Sequence, residues 1–153
     1  MITLNQSKNI QLSENFTLFE FLDSSSASRL KLHQYQEQIT EKDVLNLKRL
    51  CENILQPLRD YSKEPISISS GYRSPQLNRA IGGAKQSDHM TGKAADIQTK
   101  NLDFAFGWIK NNCKFKQLIL EQSGYKRWIH VSYDEFDNRC EVLLFIDGKY
   151  IKQ

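Results

Sequence analysis

The sequence predicts a single α+β domain, with helices gathered early in the chain and a mostly antiparallel sheet late. Three observations carry that expectation. After Thr40, the apolar residues Val44, Leu47, Cys51, Ile54, Leu55 and Leu58 fall on one face of a 3.6-residue period. From Phe115 onward the chain breaks into short strand-like runs, Phe115 to Glu121, Arg127 to Tyr133 and Glu141 to Ile146. Its 153 residues, 39% hydrophobic and 25% charged, contain no repeat, low-complexity tract or composition break, so residues 1–153 read as one domain.

In order, Thr17-Leu18-Phe19-Glu20 has the form of a capping box, with Phe16 placed to staple it, so a short helix opens there. Ser24-Ser25-Ser26 reads as a turn or loop. His33 lies in a polar helical stretch, KLHQYQEQ, and is expected at the surface. Thr40 to Asp43 starts the long helix against which the sheet should pack, and Pro57 should end or kink it near Gln56. Ile66 to Ser69 alternates and follows Pro65, as a strand would. Ser74 offers an N-cap, Pro75 a first helical residue and Gly82-Gly83 a stop, which defines a short helix over Pro75 to Ile81. Asn101 begins another helix, with Leu102, Ala105, Phe106 and Ile109 on its buried face. Asp147-Gly148 marks a hairpin turn near the end.

The net charge of +3 suits an acidic surface such as a bacterial wall but is too small to argue for nucleic acid. No apolar run approaches the length that spans a bilayer, so no membrane insertion is expected. The opening MITLNQSKNIQL lacks the parts of a secretory signal, which predicts synthesis in the cytoplasm and export by another route. Three cysteines, Cys51, Cys113 and Cys140, at unrelated spacings form neither a disulfide framework nor a CxxC metal site; reduced, mostly buried thiols are expected. The chain is expected to be a monomer.

The chemistry concentrates between Ser69 and Gln98, which holds four of the seven glycines, His89, and Asp96 seven residues later. Polar, glycine-punctuated sequence between two strands is where function usually sits. His89, Asp96 and the distant His130 are candidate ligands for one zinc ion, which takes imidazole nitrogen and carboxylate oxygen and keeps a fourth position open in catalytic sites. His89 and Asp96 cannot share a helical face, because Gly92 intervenes and the flank alternates as a strand. His130 belongs to a strand whose residues Trp128, His130 and Ser132 share one face. Spacing alone leaves two other readings open, a surface histidine in a polar loop and a core-facing strand histidine with a backbone partner.

The surrounding words are more specific. Ser70-Gly71-Tyr72-Arg73-Ser74-Pro75, Leu77-Asn78, Gly82-Gly83, Ser87-x-His89-x-x-Gly92-x-Ala94-x-Asp96 and Trp128-Ile129-His130 closely resemble the zinc D-Ala-D-Ala carboxypeptidase family. That family includes L-alanyl-D-glutamate endopeptidases of bacteria and phages and shares its fold with the hedgehog signalling domain. The resemblance runs from about Phe16 to Ser132. It implies His89, Asp96 and His130 as zinc ligands, Arg73 as the cleft arginine that grips a carboxylate or carbonyl, and Ser87 as a cleft serine. A guanidinium fork independently suits a carboxylate, whether a peptide C-terminus or the side chain of D-glutamate. Tyr72 is expected to support the loop rather than touch substrate.

One position departs from the family. Many relatives carry an acid three residues before the last histidine, where this chain has Arg127. Glu121, at the end of Leu118-Ile119-Leu120, is the choice for general base, provided that a hairpin lays it beside His130 on one face. Asp88 and Asp134 are weaker candidates. The resemblance implies a zinc-dependent peptidase of the peptidoglycan stem peptide, cutting a D-Ala-D-Ala or L-Ala-D-Glu type bond. A non-catalytic zinc module of the same fold, serving in binding or in a virion, is the alternative. A phage or prophage lysis enzyme acting at the cell wall after release suits the first reading.

Overall fold

The computed structural model describes residues Met1–Gln153. Helix α1 (Leu4–Ser7) and a two-stranded ribbon, β1 (Gln11–Ser13) with β2 (Phe16–Thr17), lead into α2 (Leu18–Leu22). The capping box forms as the sequence predicts: the Thr17 N–H donates to Glu20 Oε2 at 2.7 Å, and the Phe16 ring lies 6.4 Å from that of Phe21. The triple serine is not a loop. Ser24 is an N-cap, its Oγ accepting from the Ala27 N–H at 3.1 Å, and the next two serines open α3 (Ser25–Arg29). Helix α4 (His33–Gln36) follows, with His33 half-buried rather than on the open surface.

Helix α5 (Glu41–Leu50) starts where Thr40 Oγ1 accepts the Asp43 N–H at 3.1 Å. Pro57 does not stop it. The chain widens into a π-helical turn over Cys51–Leu55, in which the Gln56 N–H reaches back to the Cys51 carbonyl, and continues as α6 (Gln56–Ser62). A proline inside a helix lacks the N–H for the carbonyl four residues earlier and crowds it; a turn one residue wider, placed just before the ring, accommodates both. The resulting rod buries Leu47, Leu50, Cys51, Ile54, Leu55 and Leu58.

The main sheet contains β3 (Ser67–Ser70), β4 (Ala94–Gln98), β5 (Gln117–Ser123), β6 (Lys126–Ser132), β7 (Glu141–Ile146) and β8 (Lys149–Lys152), in the order β3-β4-β6-β5-β7-β8. Helices α7 (Pro75–Ala80) and α8 (Leu102–Asn112) lie between strands in sequence, capped by Ser74 and Asn101. All pairings are antiparallel except β5 with β7. Strand β6 returns the chain to the end at which β5 begins. The next segment crosses that end, tied by Cys140 N–H to Phe115 O at 2.9 Å and Glu141 N–H to Lys116 O at 3.1 Å, so β7 must run the same way as β5.

The core lies on one face of the sheet. Ala95, Ile97, Leu118, Ile129 and Val131 pack there with the α5–α6 rod, α2 and α8. Side chains alternate along each strand, so Asp96, Glu121, Trp128 and His130 project to the opposite face. Of the cysteines, all free, Cys51 is buried and Cys113 half-buried, and burial pushes the Cys113 thiol up to about 11. Cys140 is exposed, contrary to expectation. No helix is long and apolar enough to cross a membrane.

Candidate metal centre and cleft

The centre is assembled from a turn, two neighbouring strands and a buttressed loop. His89 sits in a 3₁₀ turn, Asp88–Thr91, that ends at Gly92 with φ +68°. That conformation favours glycine, and a Cβ there would lie 2.3 Å from the Asp43 carbonyl oxygen. The turn is thereby pressed against α5 and delivers the chain into β4, where Asp96 pairs with His130 of β6. Ser87 caps the turn, its Oγ accepting the His89 N–H at 3.3 Å.

The arginine loop is held from below. The Tyr72 N–H donates to Phe21 O at 2.8 Å and the Arg73 N–H to His89 O at 3.0 Å, which ties the loop to the turn that carries His89. Buried Gln36 spans it: Nε2 donates to Leu22 O at 3.1 Å and Tyr72 O at 2.8 Å, and Oε1 accepts from the Ser74 N–H at 2.7 Å. Sequence reading missed Gln36, because an amide in a polar helical run looks like a surface residue. Its only signal is position, three residues before the buried apolar Ile39. Gln36→Leu strands three backbone groups at about 1 kcal/mol or more each. The expected loss is about 3 kcal/mol in chemical denaturation; a variant as stable as wild type would contradict the clamp.

His89 Nε2 lies 3.3 Å and His130 Nδ1 3.0 Å from Asp96 Oδ1, and one ligand atom from each residue lies within 4.8 Å of the others. His89 Nδ1 is 2.7 Å from the Gly71 carbonyl oxygen, which can only accept, so that nitrogen carries the proton and Nε2 presents its lone pair. Burial lowers the His89 pKa, outweighing the pull of Asp96, and keeps the ring neutral. Burial works to raise the Asp96 pKa, but hydrogen bonding, that from His130 foremost, outweighs it and holds the carboxyl below the usual range. A lone pair therefore faces a carboxylate oxygen across 3.3 Å in a buried setting, with no proton between them. A cation supplies what this pair lacks. With zinc bonds of about 2.0–2.1 Å, a tetrahedral edge is about 3.3 Å. The donor set fits the ion.

An open cleft of about 360 Å³ surrounds this cluster, lined among others by Arg73, Ser87, Glu121, Trp128 and Tyr150. Arg73 is mostly buried, with Nη2 3.5 Å from Asp96 Oδ2 and Nε donating to Ser70 Oγ at 3.1 Å. Glu121 is opposite Trp128, and Ile119 is opposite His130, so Glu121 shares the face of His130 as a diagonal neighbour. The two-residue turn Gly124-Tyr125 sets that register; Gly124, at φ +59°, supplies the single positive φ that a type II′ turn requires at its first position. Burial first, then the Asp96 charge, raises the Glu121 pKa despite His130, Arg73 and Trp128.

The other acids are committed elsewhere. Asp88 pairs with Lys116 at 2.9 Å, and Asp134 with Lys93 at 2.7 Å. Arg127 is three residues from His130 on a regular strand, so it projects to the other face, where it bonds Asp103 of α8 at 2.6 Å. An acid at 127 would not face the cleft in this chain. His33 bonds Ser28 Oγ at 3.3 Å in the helical region and is absent from the cleft lining.

Fold and cleft define a class first: an α+β domain with a metal-competent His-Asp-His cluster on the open face of its sheet. The family model for peptidase M15 matches residues 14–132, most of the chain. The chain belongs to the peptidase M15 family, and with it to the metallopeptidases. A search of curated proteins finds no match.

Proposed function

We propose that this chain is a zinc-dependent peptidoglycan peptidase that hydrolyses a D-Ala-D-Ala or L-Ala-D-Glu type bond of the stem peptide. The observation that carries the reading is the placement of Arg73 and Glu121 in one cleft with His89, Asp96 and His130. Those three residues would hold the ion, through His89 Nε2, an Asp96 oxygen and His130 Nδ1. Zinc, when bound, supplies a Lewis acid for the scissile carbonyl and lowers the pKa of a water to about 7. Glu121 takes that water's proton and passes it to the leaving amine. Arg73 binds the anionic group on the leaving side and sets the peptide's direction. Ser87 lines the same cleft and contributes a polar substrate contact.

The non-catalytic alternative drew on the missing acid at 127. Arg127 turned out of the cleft and Glu121 turned into it favour the enzyme. The protein would act on the wall after release, as a phage or prophage lysis enzyme does.

Arg73→Lys keeps the charge but loses the fork. It is expected to raise KM about tenfold or more with a smaller change in kcat; an unchanged KM would remove Arg73 from substrate binding. The reading as a whole is tested by incubating the protein with purified muropeptides, with and without a chelator, and weighing the fragments by mass spectrometry. A single new mass pair, abolished by the chelator, is expected. Intact muropeptides after prolonged incubation with zinc-loaded protein would refute it.

A further inference from the structure

Gln117 lines the cleft but has no part in holding metal, proton or anion. It stands opposite Ser132 of β6, whose Oγ accepts the Gln117 N–H at 3.1 Å, and it shares the face of His130. Ile119 is opposite His130, so Gln117 and Glu121 are the two diagonal neighbours of that histidine on β5, one to either side. On the far side of β5, Glu141 is opposite Gln117, and its Oε1 accepts from Gln117 Nε2 at 2.7 Å. A carboxylate only accepts, so the NH2 end of the amide belongs on the β7 side. The C=O end is left to the cleft side, and Oε1 accepts from no group of the chain.

We propose that Gln117, oriented by Glu141, accepts a hydrogen bond from the amide N–H of the residue that carries the scissile carbonyl, and so selects N-acylated peptides over those with a free amine there. This rests on the peptidase reading above. Glu121 must reach the leaving amine, which puts the leaving side at its end of β5 and the acyl side at the end of Gln117. The nitrogen of the acyl residue is two bonds, about 2.5 Å, from the scissile carbon. A hydrogen bond adds about 3 Å, so the acceptor has to stand next to the metal cluster. Gln117 does: as a diagonal strand neighbour its backbone is about 7–8 Å from that of His130, and its side chain covers the remainder.

The state of the amide fits the task. A free glutamine side chain loses rotamer freedom when it is fixed, and Glu141 has fixed this one before substrate arrives. Gln86 also lines the cleft but is exposed, with no side-chain bond to hold it. A carbonyl satisfies a neutral N–H but gives a free ammonium no counter-charge, and the carboxylate beside it is engaged by the NH2 group. In the stem peptide the L-Ala of one candidate bond and the first D-Ala of the other are both acylated, so each carries the required N–H. A free dipeptide does not. Glu141 belongs to β7, so the orienting group comes from outside residues 14–132 of the family match.

The test uses zinc-loaded protein and three versions of a stem peptide. One is N-acylated; the second is its ester analogue, with oxygen in place of the acyl residue's N–H and the scissile amide intact; the third begins at that residue with a free amine. Wild type is expected to prefer the first to the second by about tenfold in kcat/KM, mostly through KM, and to cut the third more slowly still. Gln117→Met should lose the preference between amide and ester while remaining folded. Glu141→Gln, which can pair with either end of the amide, should weaken it. Equal rates of wild type on amide and ester, a free-amine peptide cut as fast as the acylated one, or the full preference retained by either variant would overturn the assignment and leave the peptidase reading standing. Cleavage of no version by wild type would overturn both.

Discussion

Glu121→Gln is expected to keep its zinc and lose turnover by about 10²–10⁴-fold, the range that a general acid–base contributes. The amide keeps the size and hydrogen-bonding capacity of the side chain but cannot take a proton. KM should change little, because Arg73 and the metal cluster are untouched. The pH profile supplies a second check on the same residue. Glu121 works as a base only when ionised. As pH falls, kcat/KM of wild type should therefore fall through an acid limb that the glutamine variant lacks. Full activity retained by the glutamine variant, or the same acid limb in both proteins, would remove Glu121 from the reaction.

His89→Ala is expected to abolish both zinc binding and activity. The substitution removes Nε2 from a three-ligand set and also leaves the Gly71 carbonyl without its donor. The loss of affinity should exceed the 10–100-fold that follows removal of an outer-shell partner alone. Because His89 is buried, the variant can also lose stability, so His130→Ala, at a more open position, serves as its companion. Elemental analysis should find zinc in wild type and Glu121→Gln, and little in either histidine variant. Zinc retained at full stoichiometry by a folded His89→Ala protein would mean that the ligand set is wrong.

Much of this site was legible in the sequence because it depends on local grammar. Gly92 and its alternating flank exclude a shared helical face for His89 and Asp96, the period of two in Trp128, His130 and Ser132 places the last histidine on a strand face, and the family resemblance, rather than the spacing, picks out the ligand set. Glu121 was legible only conditionally: its place depended on hairpin register, which Gly124 sets through a backbone angle that a distant reader of the sequence does not see. The features that escaped are those made by long-range packing. Gln36 becomes a core clamp only because α4 is driven under the arginine loop, and Ser24 becomes a cap because the following serines are helical. Local sterics at Pro57 predict an end or a kink near Gln56; a π-helical turn absorbs the conflict while the rod keeps its buried face. The parallel pairing of β5 with β7 follows from which side of β5 remains open after β6 has docked, which no single segment encodes.

The central claim is that one zinc ion, held by His89, Asp96 and His130, is what makes this cleft a peptidase. Its most direct test is a titration of chelator-stripped protein with zinc while fragments released from a muropeptide are counted. Activity should rise linearly and plateau at one equivalent of zinc per chain, with no recovery in His89→Ala. Undiminished cleavage by the stripped protein, or recovery of His89→Ala to the wild-type plateau, would contradict the claim.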